Sequence, residues 1–233
     1  MEIKAILFDK DGTLFDFEAS WSDAMVVLLD TVAPGDLRDE AAEVLGFDLG
    51  AGAFRPDSLV IAGTMDELIT ALAGVVEIPK PELHDIVRLI SNEAPMVPVV
   101  DLPACLGDLA VSFDLGVVTN DSEAVARRHL ELAGITDLFA FIAGSDSGYG
   151  AKPEPGLILA GADALGVAPE HCLMVGDSRH DLVAGAAAGA TPVAVLTGVA
   201  TYDELAPYAD VVLPDIGALD AWIRDDASTL GVI

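Results

Sequence analysis

The spacing of apolar residues changes character twice along the chain. Residues 3–8 form an uninterrupted apolar run apart from one lysine, which predicts a strand buried on both faces. From about residue 18 to residue 93, apolar residues recur at helical spacing without strand-like alternation, which predicts an all-helical block. From residue 101 onward, short apolar runs alternate with helical stretches, a pattern typical of parallel strands joined by crossover helices. The sequence therefore predicts an α/β fold, with a parallel sheet covered by helices on both faces and an inserted helical block.

The individual elements follow from the same spacing and from the glycine and proline breaks. In the helical block we expect helices at about residues 20–32, 37–45, 64–73 and 81–90. Beyond the block we expect strands at residues 115–119, 138–143, 172–175, 192–196 and 209–213. The accompanying helices are expected at residues 102–111, 122–133, 154–165, 183–188 and 215–224. The Gly-rich connection at residues 46–56 is expected to lack regular structure.

One segment has the length and the composition of a membrane span. Residues 182–202 carry no charged side chain. However, Gly189 and Pro192 divide the segment into a small-residue helix and a β-branched strand, so we interpret it as a buried helix and strand. The amino terminus lacks a signal-peptide pattern, because Asp9 and Asp11 interrupt its apolar run. The sequence therefore predicts a cytoplasmic protein without membrane attachment.

The composition narrows the choice of partners. The chain has 233 residues, of which 52% are hydrophobic, enough for a substantial core. Its 39 acidic and 11 basic residues give a net charge of −28, which argues against nucleic acid and anionic membranes as partners. Cys105 and Cys172 lie in apolar contexts and are expected to be buried free thiols. We expect a monomer or a homodimer.

Four predicted strands are followed by polar residues that can bind a metal, bind an anion or supply positive charge. They are Asp9 and Asp11, Thr119 and Asn120, Lys152, and Asp177, Ser178 and Asp181. Ligands of open parallel sheets bind outside the carboxyl ends of the strands, so these groups are expected to face one crevice. Neighbouring carboxylates repel each other and are best accommodated with a divalent cation between them. Carboxylates for a metal, donors for an anion and one fixed cation are the groups that phosphoryl transfer requires.

The order of these motifs resembles the haloacid dehalogenase (HAD) superfamily of phosphohydrolases. Asp-x-Asp-Gly-Thr, strand–Thr–Asn, Lys-Pro and Gly-Asp-Ser-x-x-x-Asp occur in the superfamily's order, each at a strand end. The resemblance covers essentially the whole chain, and residues 8–16 and 148–155 are most similar to phosphoglycolate-phosphatase-like members. It implies a Rossmann-like core formed by residues 1–15 and 96–233. Residues 16–95 would form a helical cap domain of the superfamily's first (C1) type.

The resemblance also implies a role for each aspartate of the core. Asp9 is expected to be the nucleophile that forms an aspartyl-phosphate. Asp11 is expected to protonate the leaving oxygen and then to activate water. Neighbouring carboxylates and partial desolvation would help it to hold a proton near neutral pH. The Asp9 and Asp177 carboxylates and the Asp11 main-chain carbonyl are expected to bind Mg²⁺.

The remaining motif residues are expected to support these aspartates. Thr119 and the Asn120 N–H would bind phosphate oxygens, and Lys152 would neutralise both the phosphate and the nucleophile. Asp181 would hold Lys152 or a metal-bound water, and Ser178 would lie with it behind the metal ligands. The motif set thus implies one site with a metal, a phosphate and a fixed positive charge.

The basic residues outside the core motifs are few, so each can be considered individually. Arg55, between Phe54 and Pro56 in the Gly-rich connection, is the cap residue expected to reach a second anionic group of the substrate. An arginine on a surface loop is the alternative interpretation. Lys10 and Arg179 are interpreted as local charge balance without a chemical role, and the four histidines share no spacing that predicts a ligand site.

The predicted function is the magnesium-dependent hydrolysis of a small phosphorylated metabolite through an aspartyl-phosphate. The leading substrate is 2-phosphoglycolate. A sugar-phosphate phosphatase or a phosphomutase of the same superfamily is the alternative within this class. A non-catalytic phosphometabolite-binding protein is the alternative outside it. The complete set of catalytic residues argues against that last alternative.

Overall fold

The first strand and the helical block occupy the amino-terminal part of the fold. The computed structural model describes the backbone of residues 2–229 and the side chains of residues 2–225. Strand β1 (Ala5–Phe8) is entirely buried, as its apolar sequence predicts. The elements of the block that follows are α1 (Phe17–Val32), α2 (Leu37–Leu45), β2 (Phe47–Asp48), β3 (Ala53–Phe54), α3 (Leu59–Ala62), α4 (Met65–Leu72) and α5 (Lys80–Asn92).

Besides the short helix α3, which the sequence did not predict, two features of the block differ from the sequence prediction. Helix α1 begins at Phe17, because the Asp16 side chain accepts a hydrogen bond from the Ala19 N–H and caps the helix. The Gly-rich connection holds the antiparallel hairpin β2–β3, in which Phe47 pairs with Phe54. Both phenylalanines are buried with Phe17 in the apolar core of the block. This packing explains why the connection adopts regular structure.

From residue 102 onward the chain alternates helices and strands, as predicted. The elements are α6 (Leu102–Ala110), β4 (Asp114–Val118), α7 (Glu123–Leu132), β5 (Phe141–Ala143), α8 (Gly156–Ala164), β6 (Cys172–Gly176), α9 (Arg179–Ala188), β7 (Thr191–Val195), α10 (Tyr202–Leu205), β8 (Val211–Leu213) and α11 (Leu219–Thr229). Strand β5 is shorter than expected, because Thr136–Leu138 forms a 3-10 turn before it. A similar turn, Ile216–Ala218, precedes α11.

The order of the strands places β1 near the middle of the sheet. The order is β5-β4-β1-β6-β7-β8, and every neighbouring pair is parallel. The chain therefore builds the sheet on one side of β1 first and on the other side afterwards. In α/β sheets such a reversal opens a crevice outside the carboxyl ends of the strands. The residues that follow β1, β4 and β6 are consequently brought to one place.

Apolar clusters cover both faces of the sheet. Ile6 and Phe8 belong to a cluster that includes residues of α6 and α7, whereas Ala5 and Leu7 belong to one that includes residues of α8 and α9. The predicted α/β fold is therefore confirmed. The helical block has a separate apolar cluster, built mainly from α1, α2, α4 and α5. The domain limits stay a prediction.

The uncharged segment, residues 182–202, contains the end of α9 and the whole of β7. Strand β7 is buried between β6 and β8. No helix in the described part of the chain is long and apolar enough to cross a membrane. Both cysteines are free thiols, with Cys172 buried and Cys105 partly exposed.

Candidate active site

Polar side chains gather at the carboxyl edge of the sheet. Asp9 and Asp11 follow β1, Thr119 and Asn120 follow β4, and Asp177 follows β6. The loop between β5 and α8 supplies a lysine to the same place. The strands β1, β4 and β6 are paired in register over four residue pairs on each side of β1, so their ends are adjacent. The structure thus brings the predicted core residues together.

The Lys152 ammonium group lies between two carboxylates at the bottom of the crevice. Its Nζ is 2.6 Å from Asp9 Oδ1 and 2.6 Å from Asp181 Oδ1, and it donates to the Val118 carbonyl oxygen at 2.9 Å. The Lys152 side chain is only 3% exposed. Burial alone would lower its pKa, but Asp181 and Asp9 outweigh burial and raise the pKa above its ordinary value. Lys152 is therefore a fixed positive charge.

Three buried carboxylates surround this one lysine. Oxygens of Asp9, Asp177 and Asp181 lie within 4.8 Å of one another. Burial, together with Asp181 and Asp11, raises the pKa of Asp9 to about 7 despite the attraction of Lys152. Burial and the other two carboxylates of the cluster raise the pKa of Asp177 well above its ordinary value. The cluster carries more negative charge than one lysine neutralises, so its oxygen donors fit a divalent cation.

Both oxygens of Asp181 are engaged by groups of the protein. Oδ1 binds Lys152, while Oδ2 accepts hydrogen bonds from the Ser178 N–H at 3.0 Å and from Ser178 Oγ at 2.7 Å. Ser178 also caps α9. Asp9 and Asp177 are therefore the carboxylates of the cluster that remain for a metal. The predicted contribution of the Asp11 carbonyl stays a prediction.

Two glycines and two threonines fix the position of Asp177. Thr13 Oγ1 donates to Asp177 Oδ1 at 3.2 Å, and Thr197 Oγ1 donates to the Gly12 carbonyl oxygen at 2.6 Å. A Cβ atom at Gly12 or at Gly198 would overlap the Asp177 carboxylate. Gly12 also has a φ of 81°, in the left-handed region that other residues disfavour. The backbone at positions 12 and 198 thus lies so close to the Asp177 carboxylate that only glycine fits at either position.

Asp11 has a different set of partners from Asp9. Its carboxylate lies 2.6 Å from Lys10 Nζ and accepts a hydrogen bond from the Trp21 indole N–H at 2.9 Å. Burial opposes the ionisation of Asp11, but the charge of Lys10 and the hydrogen bonds from Lys10 and Trp21 prevail and lower its pKa below the ordinary 3.8. The expectation that Asp11 holds a proton near neutral pH is therefore wrong for this arrangement. The sequence argument counted the carboxylates around Asp11 and assigned the lysine beside it no effect beyond local charge balance.

Lys10 is fully buried, although the sequence suggested only local charge balance. Besides Asp11, its Nζ lies 3.3 Å from Asp121 Oδ2 and 3.0 Å from His129 Nδ1. His129 Nε2 donates to the Ser91 carbonyl oxygen at 2.7 Å. Burial and Lys10 lower the pKa of His129 to about 4, so the neutral ring accepts a hydrogen bond from Lys10. This network connects the site with helix α5 of the block.

Thr119 and Asn120 are buried where β4 ends. Thr119 Oγ1 accepts a hydrogen bond from the Asp121 N–H at 3.1 Å. The Asn120 side chain donates to the Lys152 carbonyl oxygen at 2.8 Å and accepts from the Lys152 N–H at 2.8 Å. It also donates to the Ala62 carbonyl oxygen of the helical block at 2.7 Å. Asn120 therefore positions the backbone of Lys152 and joins the site to the block.

A cavity of about 90 Å³ lies between the edge of the sheet and the helical block. Its lining residues on the sheet side are polar: Asp9, Asp11, Thr119, Asn120 and Asp121. Those on the side of the block are mainly apolar: Phe17, Trp21, Leu59, Val60, Ile61, Met65, Leu68 and Val87. The space beside the nucleophile candidate is thus enclosed by two chemically different walls.

The structure does not bring Arg55 to this cavity. Its guanidinium donates to the Glu43 carboxylate at 2.6 Å and to the Glu43 carbonyl oxygen at 2.9 Å, and it lies 3.6 Å from Asp57. Arg55 is absent from the described residues that line the cavity. The alternative interpretation, an arginine on a surface loop, describes its position.

The sequence analysis missed the roles of several residues of the site. It interpreted Lys10 only as local charge balance, although a lysine between two site aspartates must lie near both of them. Trp21 and His129 offered no such signal, since their positions depend on how the block packs against the sheet. Gly198 lies in the uncharged segment, residues 182–202, where no sequence pattern indicated a contact with Asp177.

Comparison with known proteins gives a family match over most of the chain. The haloacid dehalogenase-like hydrolase family matches residues 3–189. A phosphoglycolate phosphatase of Rhodospirillum rubrum is 33% identical over 231 residues, covering 89% of this chain and 90% of that protein. The pyrophosphatase PpaX of Bacillus velezensis is 29% identical, covering 88% of this chain and 89% of that protein.

Solved structures show the same fold. The β-phosphoglucomutase of Clostridium difficile matches with a TM-score of 0.70 at 22% identity, covering 99% of this chain and 100% of that chain. The L-2-haloacid dehalogenase of Xanthobacter autotrophicus matches with a TM-score of 0.66 at 22% identity, covering 95% of this chain and 98% of that chain. Enzymes of different reactions therefore share this architecture, and the fold alone does not choose between their reactions.

Proposed function

The chain belongs to the haloacid dehalogenase-like hydrolases and is a phosphatase, and we propose that it hydrolyses a small phosphate monoester with Mg²⁺ through an aspartyl-phosphate. The observation that carries this proposal is the buried group of Asp9, Asp177, Asp181 and Lys152 beside the cavity. These are the charges that phosphoryl transfer needs. Relatives named phosphoglycolate phosphatase, at 30–33% identity, support the reaction class, and 2-phosphoglycolate itself stays a prediction.

In the proposed first step, Asp9 attacks the phosphorus atom. A carboxylate oxygen of Asp9 forms a bond to phosphorus while the bond from phosphorus to the ester oxygen breaks. Lys152, 2.6 Å from Asp9 Oδ1, holds the nucleophile and attracts the phosphate oxygens. Thr119 and the Asn120 N–H bind the remaining phosphate oxygens. In the second step water attacks the aspartyl-phosphate, which releases inorganic phosphate and restores Asp9.

Asp11 is the proposed carrier of protons. It gives a proton to the leaving oxygen in the first step and takes one from the attacking water in the second. The ionised form, which Lys10 and Trp21 stabilise, is the form that the second step requires. The first step requires the protonated form, and the negative charge of a phosphate bound beside Asp11 raises its pKa in that direction. Substrate binding and protonation of Asp11 are therefore coupled in this proposal.

The residues proposed to hold Mg²⁺ are the Asp9 and Asp177 carboxylates and the Asp11 carbonyl. A magnesium ion bound there would offset the negative charge of the phosphate and of the carboxylates. Asp181, with both oxygens engaged, keeps Lys152 in position. Ser178 in turn holds Asp181.

The helical block, residues 16–95, is the proposed cap over this site. The Trp21 indole N–H donates to Asp11, and the Ala62 carbonyl accepts from Asn120, so the block contacts two residues of the site. Its apolar side chains form one wall of the cavity. An enclosed site would exclude bulk water and strengthen the electrostatic interactions within it.

Replacement of the nucleophile provides the test. Asp9→Asn keeps the shape of the side chain and removes its negative charge, so release of phosphate from p-nitrophenyl phosphate in the presence of Mg²⁺ should fall by about a thousandfold or more. Asp66→Asn, an exposed change on α4, is the matched control and should retain activity. Full activity of Asp9→Asn would contradict the nucleophile assignment. Binding of a phosphate ester by the wild type without any turnover would favour the non-catalytic alternative.

A further inference from the structure

The helical block presents an uncharged wall to the substrate, and from this wall we infer that the preferred leaving group is small, apolar and uncharged. The inference rests on the proposed phosphatase function and specifies the substrate class of the same site. In the proposed reaction the phosphate occupies the sheet side of the cavity, next to Asp9 and Lys152. The leaving group must then contact the side of the cavity that the helical block forms.

Apolar side chains dominate that side. They come from four helices of the block, three of which supply Phe17 and Trp21 (α1), Leu59, Val60 and Ile61 (α3), and Met65 and Leu68 (α4). Val87 of α5 completes the wall. An apolar leaving group gains free energy by leaving water for such a surface, whereas a charged one loses hydration without compensation.

No cationic side chain is available to an anionic leaving group. The described residues include all 11 lysines and arginines of the chain, and none of them lines the cavity. Lys10 and Lys152 are buried behind it in contacts with carboxylates. The basic residues of the block are engaged elsewhere: Arg38 with Asp30, Arg55 with Glu43, Lys80 with the Thr70 hydroxyl, and Arg88 with Asp85.

The backbone of the wall does not replace the missing cation. The N–H groups of Val60 and Ile61 donate to Ser58, and that of Gly63 donates to the Leu59 carbonyl oxygen. The N–H and the hydroxyl of the cavity-lining Thr64 both donate to the carboxylate of Glu67. These donors are therefore already used within the block.

The charged groups on the opposite wall strengthen the same conclusion. Asp11 and Asp121 line the cavity and share one buried cation, Lys10, so this wall has no unshared positive charge for a carboxylate on the leaving group. A cavity of about 90 Å³ also favours a leaving group of few atoms. Esters of short alkyl alcohols fit these conditions, whereas 2-phosphoglycolate carries the charge that the wall does not neutralise.

Two substrates of matched size provide the first test. Isobutyl phosphate and 2-phosphoglycolate have leaving groups with the same number of non-hydrogen atoms, but only the second is charged. We expect kcat/KM with Mg²⁺ to be about tenfold or more higher for isobutyl phosphate, and higher than for the polar, uncharged glycerol 1-phosphate. A preference for either of the other two esters would overturn the inference while leaving the phosphatase proposal intact. Failure of the phosphatase proposal has a different signature, because then no ester, including p-nitrophenyl phosphate, would release phosphate.

A cation placed in the wall provides the second test. Leu68→Lys should shift the ratio of kcat/KM values toward 2-phosphoglycolate by about tenfold. Leu89→Lys, on an exposed position of α5 outside the cavity, is the matched control and should leave the ratio unchanged. An unchanged ratio in a folded Leu68→Lys protein would show that the wall does not contact the leaving group. Should that variant fail to fold, the comparison of substrates with the wild type still decides the question.

Discussion

The two walls of the cavity are built from opposite kinds of interaction. On the sheet side, charged groups are buried and paired: Lys152 lies between two carboxylates, and Lys10 contacts two others. On the side of the helical block the lining is apolar, and the ion pairs of the block lie near its surface, as between Arg55 and Glu43, whose side chains are 34% and 72% exposed. The sheet side holds the groups proposed for the reaction, and the block holds the surface proposed to select the substrate.

This difference implies unequal tolerance to substitution. Removing one member of a buried ion pair leaves its partner charged and unpaired, which is costly. An apolar wall accepts changes that conserve volume with smaller effects. Substitutions on the two walls should therefore have different effects. Those on the sheet side should abolish activity or stability, whereas those on the block should change which substrate is preferred.

After the loss of the nucleophile in Asp9→Asn, the largest effect is expected from Lys152→Met, which removes the cation between Asp9 and Asp181. Loss of this electrostatic contact should lower kcat/KM for p-nitrophenyl phosphate by about a hundredfold or more. Lys4→Met, which affects only an exposed contact with Glu2, is the control. Steady-state kinetics would check the prediction, and circular dichroism would confirm that the variant is folded. A loss of less than about threefold would mean that Lys152 is not part of the reaction.

The next largest effect is a loss of stability, which is expected for Lys10→Met. This change leaves two carboxylates without their buried cation and should lower the free energy of unfolding by about 3 kcal/mol. Urea denaturation at neutral pH measures that difference. Lys80→Met removes only an exposed contact with the Thr70 hydroxyl, so it should change stability by less than about 0.5 kcal/mol. Equal stability of the two variants would show that the buried network contributes nothing.

A smaller effect is expected from Gly198→Ala, which would press a Cβ atom against the Asp177 carboxylate. Displacement of Asp177 should raise the Mg²⁺ concentration required for half-maximal activity by about tenfold. Gly107→Ala is the matched control, because nothing lies within 4 Å of a Cβ atom at that position. Magnesium titrations of activity would compare the two variants. An unchanged requirement in Gly198→Ala would remove Asp177 from the proposed metal site.

The smallest effect concerns the dependence of stability on pH. The pKa of Asp9 in the folded, metal-free protein is about 7, above the ordinary 3.8. The folded state therefore binds more protons than the unfolded state between these values, so this carboxyl's contribution to stability is lost as the pH rises through about 7. At the proposed metal site, Mg²⁺ would take the place of this proton on Asp9. The increase of Tm that Mg²⁺ produces should therefore be about 3 °C larger at pH 8 than at pH 5.

Thermal unfolding with and without Mg²⁺ at both pH values checks this prediction. Asp177→Asn removes a proposed ligand and should reduce the increase at pH 8. Leu89→Lys, an exposed change in the block, serves as the control. Equal increases at the two pH values in the wild type would contradict a metal site that competes with protons.

The fold and the core of the site were predictable because parallel strands carry the residues after them to a common edge. Asp9, Thr119 and Asp177 each follow a buried apolar run, and the sheet brings these runs together. The hairpin that pairs Phe47 with Phe54 was missed, because it depends on packing against residues distant in the chain.

The partners of individual charges were much harder to predict. Sequence spacing shows that Lys10 is near two aspartates, yet its burial and its contact with Asp121 follow from tertiary packing. Arg55 was expected to reach a second anionic group of the substrate, with an arginine on a surface loop as the alternative, because it lies between Phe54 and Pro56 in the Gly-rich connection. Its side chain instead binds Glu43, a residue that precedes it by a whole hairpin and that no periodic pattern connects with it.

The central position of β1 has a consequence for the synthesis of the protein on the ribosome. β1 needs β4 and β6 as neighbours, but β6 begins only at Cys172. At about 5–20 residues per second, β6 is made roughly ten seconds or more after β1. The contacts of the helical block are local, so the block can fold during that interval. The nascent chain would then hold a folded block beside a β1 strand that still lacks its β6 neighbour, and the proposed nucleophile acquires its surroundings only after about three quarters of the 233 residues have been joined.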